Sequence, residues 1–300
     1  MNDIRVDVEG RTLSLSNLDK VLYPRTGTTK GEVLDYYARI APVMLPHLKD
    51  RAVTRVRWPN GVEQARFFEK NAPQGTPSWV RTVRVPTTGS RGESRHGDHL
   101  VFPIVDNLAT LTWLANLAAL ELHVHQWTVG KNGRPRNPNR LVIDLDPGEG
   151  AGLSECAAVA LMVRDKLAER KLDSWAVTSG SKGLHLYAGL PGKLNTEETT
   201  GLAKTIAEEL QAEHPQQVTA TMTKSKRSGK VFLDWSQNAG SKTTVSPYSL
   251  RGKEKPYVAT PVSWDEVEVG AEDPLELEQY AFRAVLERVE EHGDLLAGLP

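Results

Sequence analysis

Leu141-Val142-Ile143-Asp144-Leu145-Asp146-Pro147-Gly148 is an apolar run that turns to alternating Asp-Leu-Asp and stops at Pro-Gly. The pattern predicts a buried strand reaching its C-terminal end. Side chains two apart on a strand share a face, so Asp144 and Asp146 stand side by side while Leu145 turns into the core. Two carboxylates that close resist ionising together unless a cation lies between them, and carboxylate oxygens are the ligands that Mg²⁺ and Mn²⁺ prefer. The plainer alternative is a strand end whose acids begin a turn. Asp-x-Asp alone does not choose between the two.

Composition narrows the field. Of 300 residues, 39% are hydrophobic, enough for a sizeable core, and a net charge of −1 excludes a bulk polycation while leaving room for local basic patches. The one cysteine, Cys156, falls in an alanine-rich helical stretch, so an intrachain disulfide or a thiolate metal site is excluded. No apolar run approaches a membrane span and no signal-peptide core opens the chain. The expectation is a soluble, cytoplasmic protein.

From the N-terminus, residues 4–15 alternate like a short hairpin. Thr28-Thr29-Lys30-Gly31-Glu32 then opens a helix carrying Val33, Leu34, Tyr37, Ile40 and Ala41 at helical spacing. Lys20 and Lys30 flank its start and read, as exposed lysines, as solubilising groups. Ala52–Trp58 is a strand with Arg55 and Arg57 on one face, Pro59-Asn60-Gly61 a turn, and Gln64–Glu69 the returning strand. Phe67 and Phe68 point to opposite faces, one into the core and one free to stack on a base; two core-facing phenylalanines at a bulge are the equal alternative.

Arg81–His99 reads as a mobile basic loop, and Val101–Val105 as a strand. Asp106 or Asn107 caps a buried helix over Leu108–Leu120. Glu121–Trp127 alternates as a strand, with Glu121, His123, His125 and Trp127 on one face. His-x-His lacks a third nitrogen or sulfur partner for zinc, so His123 reads as a phosphate contact and His125 as structural. Thr128–Arg140 is a second basic loop.

Ser154–Arg170 is an amphipathic helix and Trp175–Thr178 a strand. Ser179-Gly180-Ser181-Lys182-Gly183 follows, leading into Leu184-His185-Leu186-Tyr187. Two glycines let backbone approach an anion, Ser179 and Ser181 offer hydroxyls, and Lys182 supplies a point charge. The spacing is not that of a P-loop; His185 could face the same ligand, and a plain hairpin turn is the alternative. Thr196–Glu213 is a helix. Val218–Met222 and Val231–Trp235 look like a hairpin with a basic tip at Lys224, Lys226, Arg227 and Lys230. Asp234 sits mid-strand, where an acid needs a partner. Gln237, Ser241, Lys242 and Thr243 continue a polar segment, Arg251 lies in a setting suited to bidentate phosphate contact, and an acidic helical tail begins near Pro261.

Three acids on two strands, a Ser/Lys/His cradle and an Arg clamp suit phosphoryl transfer, which needs mainly positioning and charge stabilisation. At this point the chain resembles a known family. Asp144-Leu145-Asp146-Pro147-Gly148, Ser179-Gly180-Ser181-Lys182-Gly183-Leu184-His185, Val231-Phe232-Leu233-Asp234-Trp235-Ser236-Gln237 and Tyr248-Ser249-Leu250-Arg251-Gly252 look like motifs of the polymerase domain of bacterial DNA ligase D, in the archaeo-eukaryotic primase superfamily. Asp19-Lys20-Val21-Leu22-Tyr23-Pro24, Arg57-Trp58-Pro59-Asn60-Gly61 and Phe67-Phe68-Glu69-Lys70 extend the match from about Leu13 to the C-terminus.

The resemblance implies an α/β (α+β type) fold of mainly antiparallel sheets flanked by helices. Residues 1–300 would form a single primase-polymerase domain, with a DNA-end-binding part over about 1–60, a catalytic core over about 100–255 and a helical tail over about 261–300. It implies a primase-polymerase that fills gaps at broken DNA ends in non-homologous end joining, favouring ribonucleotides and Mn²⁺ (or Mg²⁺), with two ions per site. Asp144, Asp146 and Asp234 would be the metal ligands and catalytic residues. His123, Ser179, Ser181, Lys182, His185, Gln237 and Arg251 would serve the incoming triphosphate, and Phe67 and Phe68 would stack at the nucleotide and template bases. Lys20 and Lys30 would bind a downstream 5′-phosphate, which replaces their solubilising reading, and Arg57, Lys224, Lys226, Arg227 and the loop around Arg91 would engage DNA. The implied partners are primer–template DNA, NTP or dNTP, a DNA ligase in the same or a separate polypeptide, and Ku, in the bacterial nucleoid.

The family pattern has two adjacent basic residues before Trp-Pro-Asn-Gly; here they are Val56 and Arg57. The zinc motif of replicative primases is absent. Two rivals remain: a metal-dependent nucleotide-sugar transferase, and a non-catalytic DNA-end-bridging module with vestigial acids.

Overall fold

The computed structural model describes residues 3–86 and 99–300. Strands β1 (Ile4–Val8) and β2 (Arg11–Leu15) form the expected N-terminal hairpin, and β3 (Val21–Tyr23) pairs with β4 (Thr28–Thr29). Helix α1 (Lys30–Leu48) starts in a capping box: Thr29 Oγ1 accepts from Glu32 N, and Thr29 N donates to the Glu32 carboxylate. Its apolar stripe packs on the sheet formed by β5 (Val53–Arg57) and the short β6 (Phe67–Glu69).

Strands β7 (Thr82–Pro86) and β8 (His99–Pro103) pair antiparallel, so the two ends of the expected basic loop are strand; its remainder, with Arg91, lies outside the described residues. Helix α2 (Leu108–Asn116) is capped by Asn107 but ends before Leu120. Ala118 takes a left-handed φ of 57°, which turns the chain into β9 (Ala119–Val124). That strand stops short of Trp127, which begins β10 (Trp127–Val129); β10 pairs with β11 (Pro135–Pro138), ordering the second expected loop.

Strand β12 (Arg140–Pro147) follows, then α3 (Leu153–Glu169), β13 (Ser174–Thr178), β14 (Leu184–Gly189), α4 (Thr196–Glu213), β15 (Val218–Thr219) and β16 (Val231–Asp234). The chain closes with β17 (Thr244–Val245), β18 (Thr260–Val262), α5 (Trp264–Glu272) and α6 (Phe282–His292).

Two sheets organise these elements. One has strand order β15-β16-β12-β14-β13-β18, the other β17-β9-β5-β6. The first buries Leu141, Ile143 and Leu145 against α3 and α4, the second packs on α1 and α2. Because side chains alternate, Val142, Asp144 and Asp146 turn to the other face of β12, away from the α3–α4 layer. Among the described residues the strand pairings are antiparallel except one: β15 runs parallel to β16, Val218 opposite Val231. The expected hairpin is therefore not formed. Residues 220–230 instead arch back over the end of β12, where Gly148 N donates to Lys230 O and Gly229 N to Glu149 O.

Candidate active site

Pairing of β12 with both neighbours sets the centre. Asp144 lies opposite His185 of β14 on one side and opposite Asp234 of β16 on the other, and Asp146 lies opposite Phe232. Side chains directly opposite in antiparallel strands have Cβ atoms about 4.5–5.5 Å apart on one face. Enclosure, Asp146 and Asp234 together raise the Asp144 carboxyl to about pH 7. His185 Nε2 is 3.5 Å from Asp144 Oδ1; burial, with Arg251 and His123 nearby, lowers its pKa to about 3, so the ring is neutral.

Asp234 ends its strand instead of standing inside it. Its carboxylate accepts from Ser236 N (3.0 Å), Ser236 Oγ (2.5 Å) and Gln237 Nε2 (2.9 Å), and Lys242 Nζ donates to Ser236 Oγ. Among the described residues no three acidic, imidazole or thiol groups converge into a closed metal cage. The aspartates form an open row. Such a row fits Mg²⁺ or Mn²⁺, which keep waters and substrate phosphates among their ligands, and a cation there would relieve the repulsion that raises Asp144.

The Ser179–Gly183 turn is closed by its first serine: Ser179 Oγ accepts from Ser181 N and Gly183 N, each at 3.2 Å. A Cβ at Gly183 would lie 1.8 Å from Leu145 O, so only glycine lets this turn reach the aspartate strand. Gly148 is as tight, 1.8 Å from Arg227 O. Lys182 projects exposed. With Lys224 and Arg227 it lines a groove of about 470 Å³ that also includes Asp146. Arg227 stacks on Phe232, 3.5 Å from the ring centroid, and its Nη1 is 3.9 Å from Asp146 Oδ2.

On the facing sheet, His123 Nε2 pairs with Glu121 Oε2 at 2.8 Å, and Glu121 Oε1 accepts from Arg251 Nε (3.2 Å) and Gly252 N (3.0 Å). Arg251 Nη1 donates to Ser179 O, which ties the two sheets together beside the turn. Glu121 belongs to the site, and the sequence carried the signal: an acid two residues before His123 in an apolar strand. His125 is structural, buried against Trp127 with ring centroids 4.3 Å apart.

Phe67 and Phe68 are 50% and 58% exposed, so neither enters the core. The reason is that β6 is a three-residue strand at a sheet edge. Arg57 is held inside the fold, donating to Leu117 O (2.8 Å) and Glu69 (3.2 Å). Lys30 is buried and donates to Ser16 O at 2.6 Å; burial and then Lys20 lower its pKa to about 8. Lys20 donates to Asn60 Oδ1 at 2.9 Å. Lys224 and Lys226 are exposed on the arch.

Residues 29–296 match the model of the LigD primase-polymerase domain. The chain belongs to that family. It is 48% identical to the multifunctional non-homologous end joining protein LigD of Mycolicibacterium smegmatis over 95% of this chain, and 33% identical to the bifunctional LigD of Bacillus subtilis over 94%. It spans 36% and 43% of those proteins, less than half of either. The polymerase domain of Mycobacterium tuberculosis ligase D, solved in complex with DNA, superposes with a TM-score of 0.89 at 47% identity, over 96% of this chain and 97% of that one. The LigD primase-polymerase domain is a nucleotidyltransferase of the polymerase type with a primase-like α/β core, so the family and fold expected from the motifs are borne out. Among the described residues no helix is long and apolar enough to cross a membrane.

Proposed function

We propose that this domain extends primer 3′ ends and fills short gaps at DNA double-strand breaks during non-homologous end joining. The supporting observation is the register that lines up His185, Asp144 and Asp234 across three strands, facing a Ser179–Gly183 turn to which Arg251 is tied. In this reading a nucleoside triphosphate lies with its phosphates between that turn and the His123–Arg251 pair. Lys182 and Arg251 neutralise phosphate charge, and Phe67 and Phe68 offer sequence-tolerant stacking surfaces to bases.

Asp144, Asp146 and Asp234 would hold two divalent ions, Mn²⁺ or Mg²⁺, which when bound lower the pKa of a hydroxyl and neutralise a departing pyrophosphate. The primer 3′-oxygen forms the new bond to the α-phosphorus as the bond to the bridging oxygen of pyrophosphate breaks. His185, neutral and buried beside Asp144, leaves that carboxylate free of a competing ion pair. Lys20 and Lys30, at the start of α1, take the 5′-phosphate of the downstream strand. Lys224, Lys226 and Arg227 hold DNA from the arch. Ribonucleotides are the preferred substrates, and a DNA ligase and Ku are the partners, in the cytoplasm at the nucleoid.

The test is extension of a labelled primer across a short gap with Mn²⁺, using ribo- or deoxyribonucleotides, with and without a downstream 5′-phosphate. Templated addition that is stronger with ribonucleotides and stimulated by the phosphate supports the reading. DNA binding without extension would favour an end-bridging module, and neither would return the transferase.

A further inference from the structure

His123 lies on β9 and Arg251 in the irregular segment between β17 and β18, and one side chain holds both. Glu121 is buried on β9, two residues before His123 and on its face. One oxygen meets His123 Nε2 at 2.8 Å, and the other accepts from Arg251 Nε at 3.2 Å and Gly252 N at 3.0 Å. Arg251 is thus fixed at its side chain and at the next backbone amide, with Nη1 on Ser179 O and its own carbonyl accepting from Tyr23 OH at 2.9 Å. A guanidinium anchored through Nε and Nη1 keeps Nη2 for a ligand. A His whose Nε2 is committed to a carboxylate keeps Nδ1 for one.

We propose that Glu121 is the positioning residue that presents His123 and Arg251 together to the β- and γ-phosphates of the incoming nucleotide. It touches neither the nucleotide nor the metal site. The assignment rests on the polymerase reading above and adds the element that sets its triphosphate selectivity. A packing role alone would be filled by an apolar side chain, since burying an acid costs free energy unless it is paired. Here both carboxylate oxygens are spent on the two groups that face the phosphates, and none on the surrounding apolar strand.

The test compares wild type, Glu121→Gln, His123→Ala and the double variant by titration with NTP and with the matching NMP, in the absence of primer, and by primer extension. Gln keeps the size of the side chain and can still accept from Arg251 and Gly252. Its amide would donate to His123 Nε2 and so reverse that hydrogen bond. We expect Gln at 121 to weaken NTP binding about 10–100-fold and NMP binding less than about 3-fold. KM should rise more than kcat falls, and gapped-DNA affinity should hold. In the His123→Ala background the added loss should shrink to a few-fold, because the two act as one unit. Equal losses for NTP and NMP, or strict additivity with His123→Ala, overturn the proposal.

Wild-type protein that does not prefer NTP to NMP instead overturns the polymerase reading itself. If Gln at 121 does not fold, nitrogen-detected NMR of the wild-type histidines decides. A protonated Nε2 on His123 supports the assignment, and a bare Nε2 sinks it.

Discussion

Asp144 and Asp234 face each other directly across the antiparallel β12–β16 pair, one carboxylate half-buried, the other wrapped by Ser236 and Gln237. Their proximity is unfavourable in the absence of a cation. Asp144→Asn should therefore abolish extension, by at least about 10³-fold, yet stabilise the metal-free protein at pH 8 by about 1–3 kcal/mol. Urea denaturation in EDTA reads the second effect. Mn²⁺ should raise the melting temperature of wild type and leave that of the variant almost unmoved.

The same repulsion gives a pH dependence. With a folded pKa near 7 against an ordinary 3.8, Asp144 binds its proton more tightly in the native state. Its contribution is complete below about pH 4 and is lost as pH rises toward 7. Metal-free protein should lose stability over that interval, and saturating Mn²⁺ should flatten the slope.

Glu121 titrates with the opposite sign. Burial alone would raise its pKa, but His123, Arg251 and the Gly252 amide hold it at about 2, below the ordinary 4.5. The stability it supplies is present above pH 4.5 and is lost between about 4.5 and 2, up to about 3 kcal/mol. A stability gap between wild type and Glu121→Gln at pH 7 that narrows below pH 4.5 and closes only near pH 2 is the expected outcome.

Gly183→Ala should be among the most damaging single-methyl changes, since its Cβ would meet Leu145 O at 1.8 Å. Backbone on backbone cannot yield without moving the aspartate strand, so a loss of about 3 kcal/mol or failure to fold is expected. Denaturant midpoints against Gly229→Ala, which has open space but a positive φ, separate crowding from backbone strain.

Phe67→Ala and Phe68→Ala should leave stability within about 0.5 kcal/mol, because both rings are exposed. Each should cost about 1–3 kcal/mol in nucleotide or template affinity if bases stack there. Melting curves and KM measured on the same preparations check the pair of expectations.

Sequence pattern located β12, α1, α3 and α4 closely because their apolar periods are regular and their caps are explicit, as at Thr29 and Asn195. It failed where direction or covering decides. Nothing in Val218–Met222 and Val231–Trp235 states that the pair runs parallel, since a ladder's sense lies in the path between strands. Nor could Phe67 and Phe68 announce that their strand is an edge with neither face covered. Asp144 and Asp146 were legible from alternation alone. Their meeting with Asp234, and the joining of His123 to Arg251 through Glu121, depend on which strands become neighbours.

The inter-strand register has one more consequence. Sliding β16 by a single residue against β12 would turn Asp234 toward α4 and bring Leu233 out from beneath the helices. Misalignment is thus penalised by lost core burial before any chemistry is attempted, and the hydrophobic layer acts as a proofreader for the spacing of the acids. A one-residue deletion inside β16 should be lost to misfolding, whereas the arch over residues 220–230 is where changes of length can accumulate.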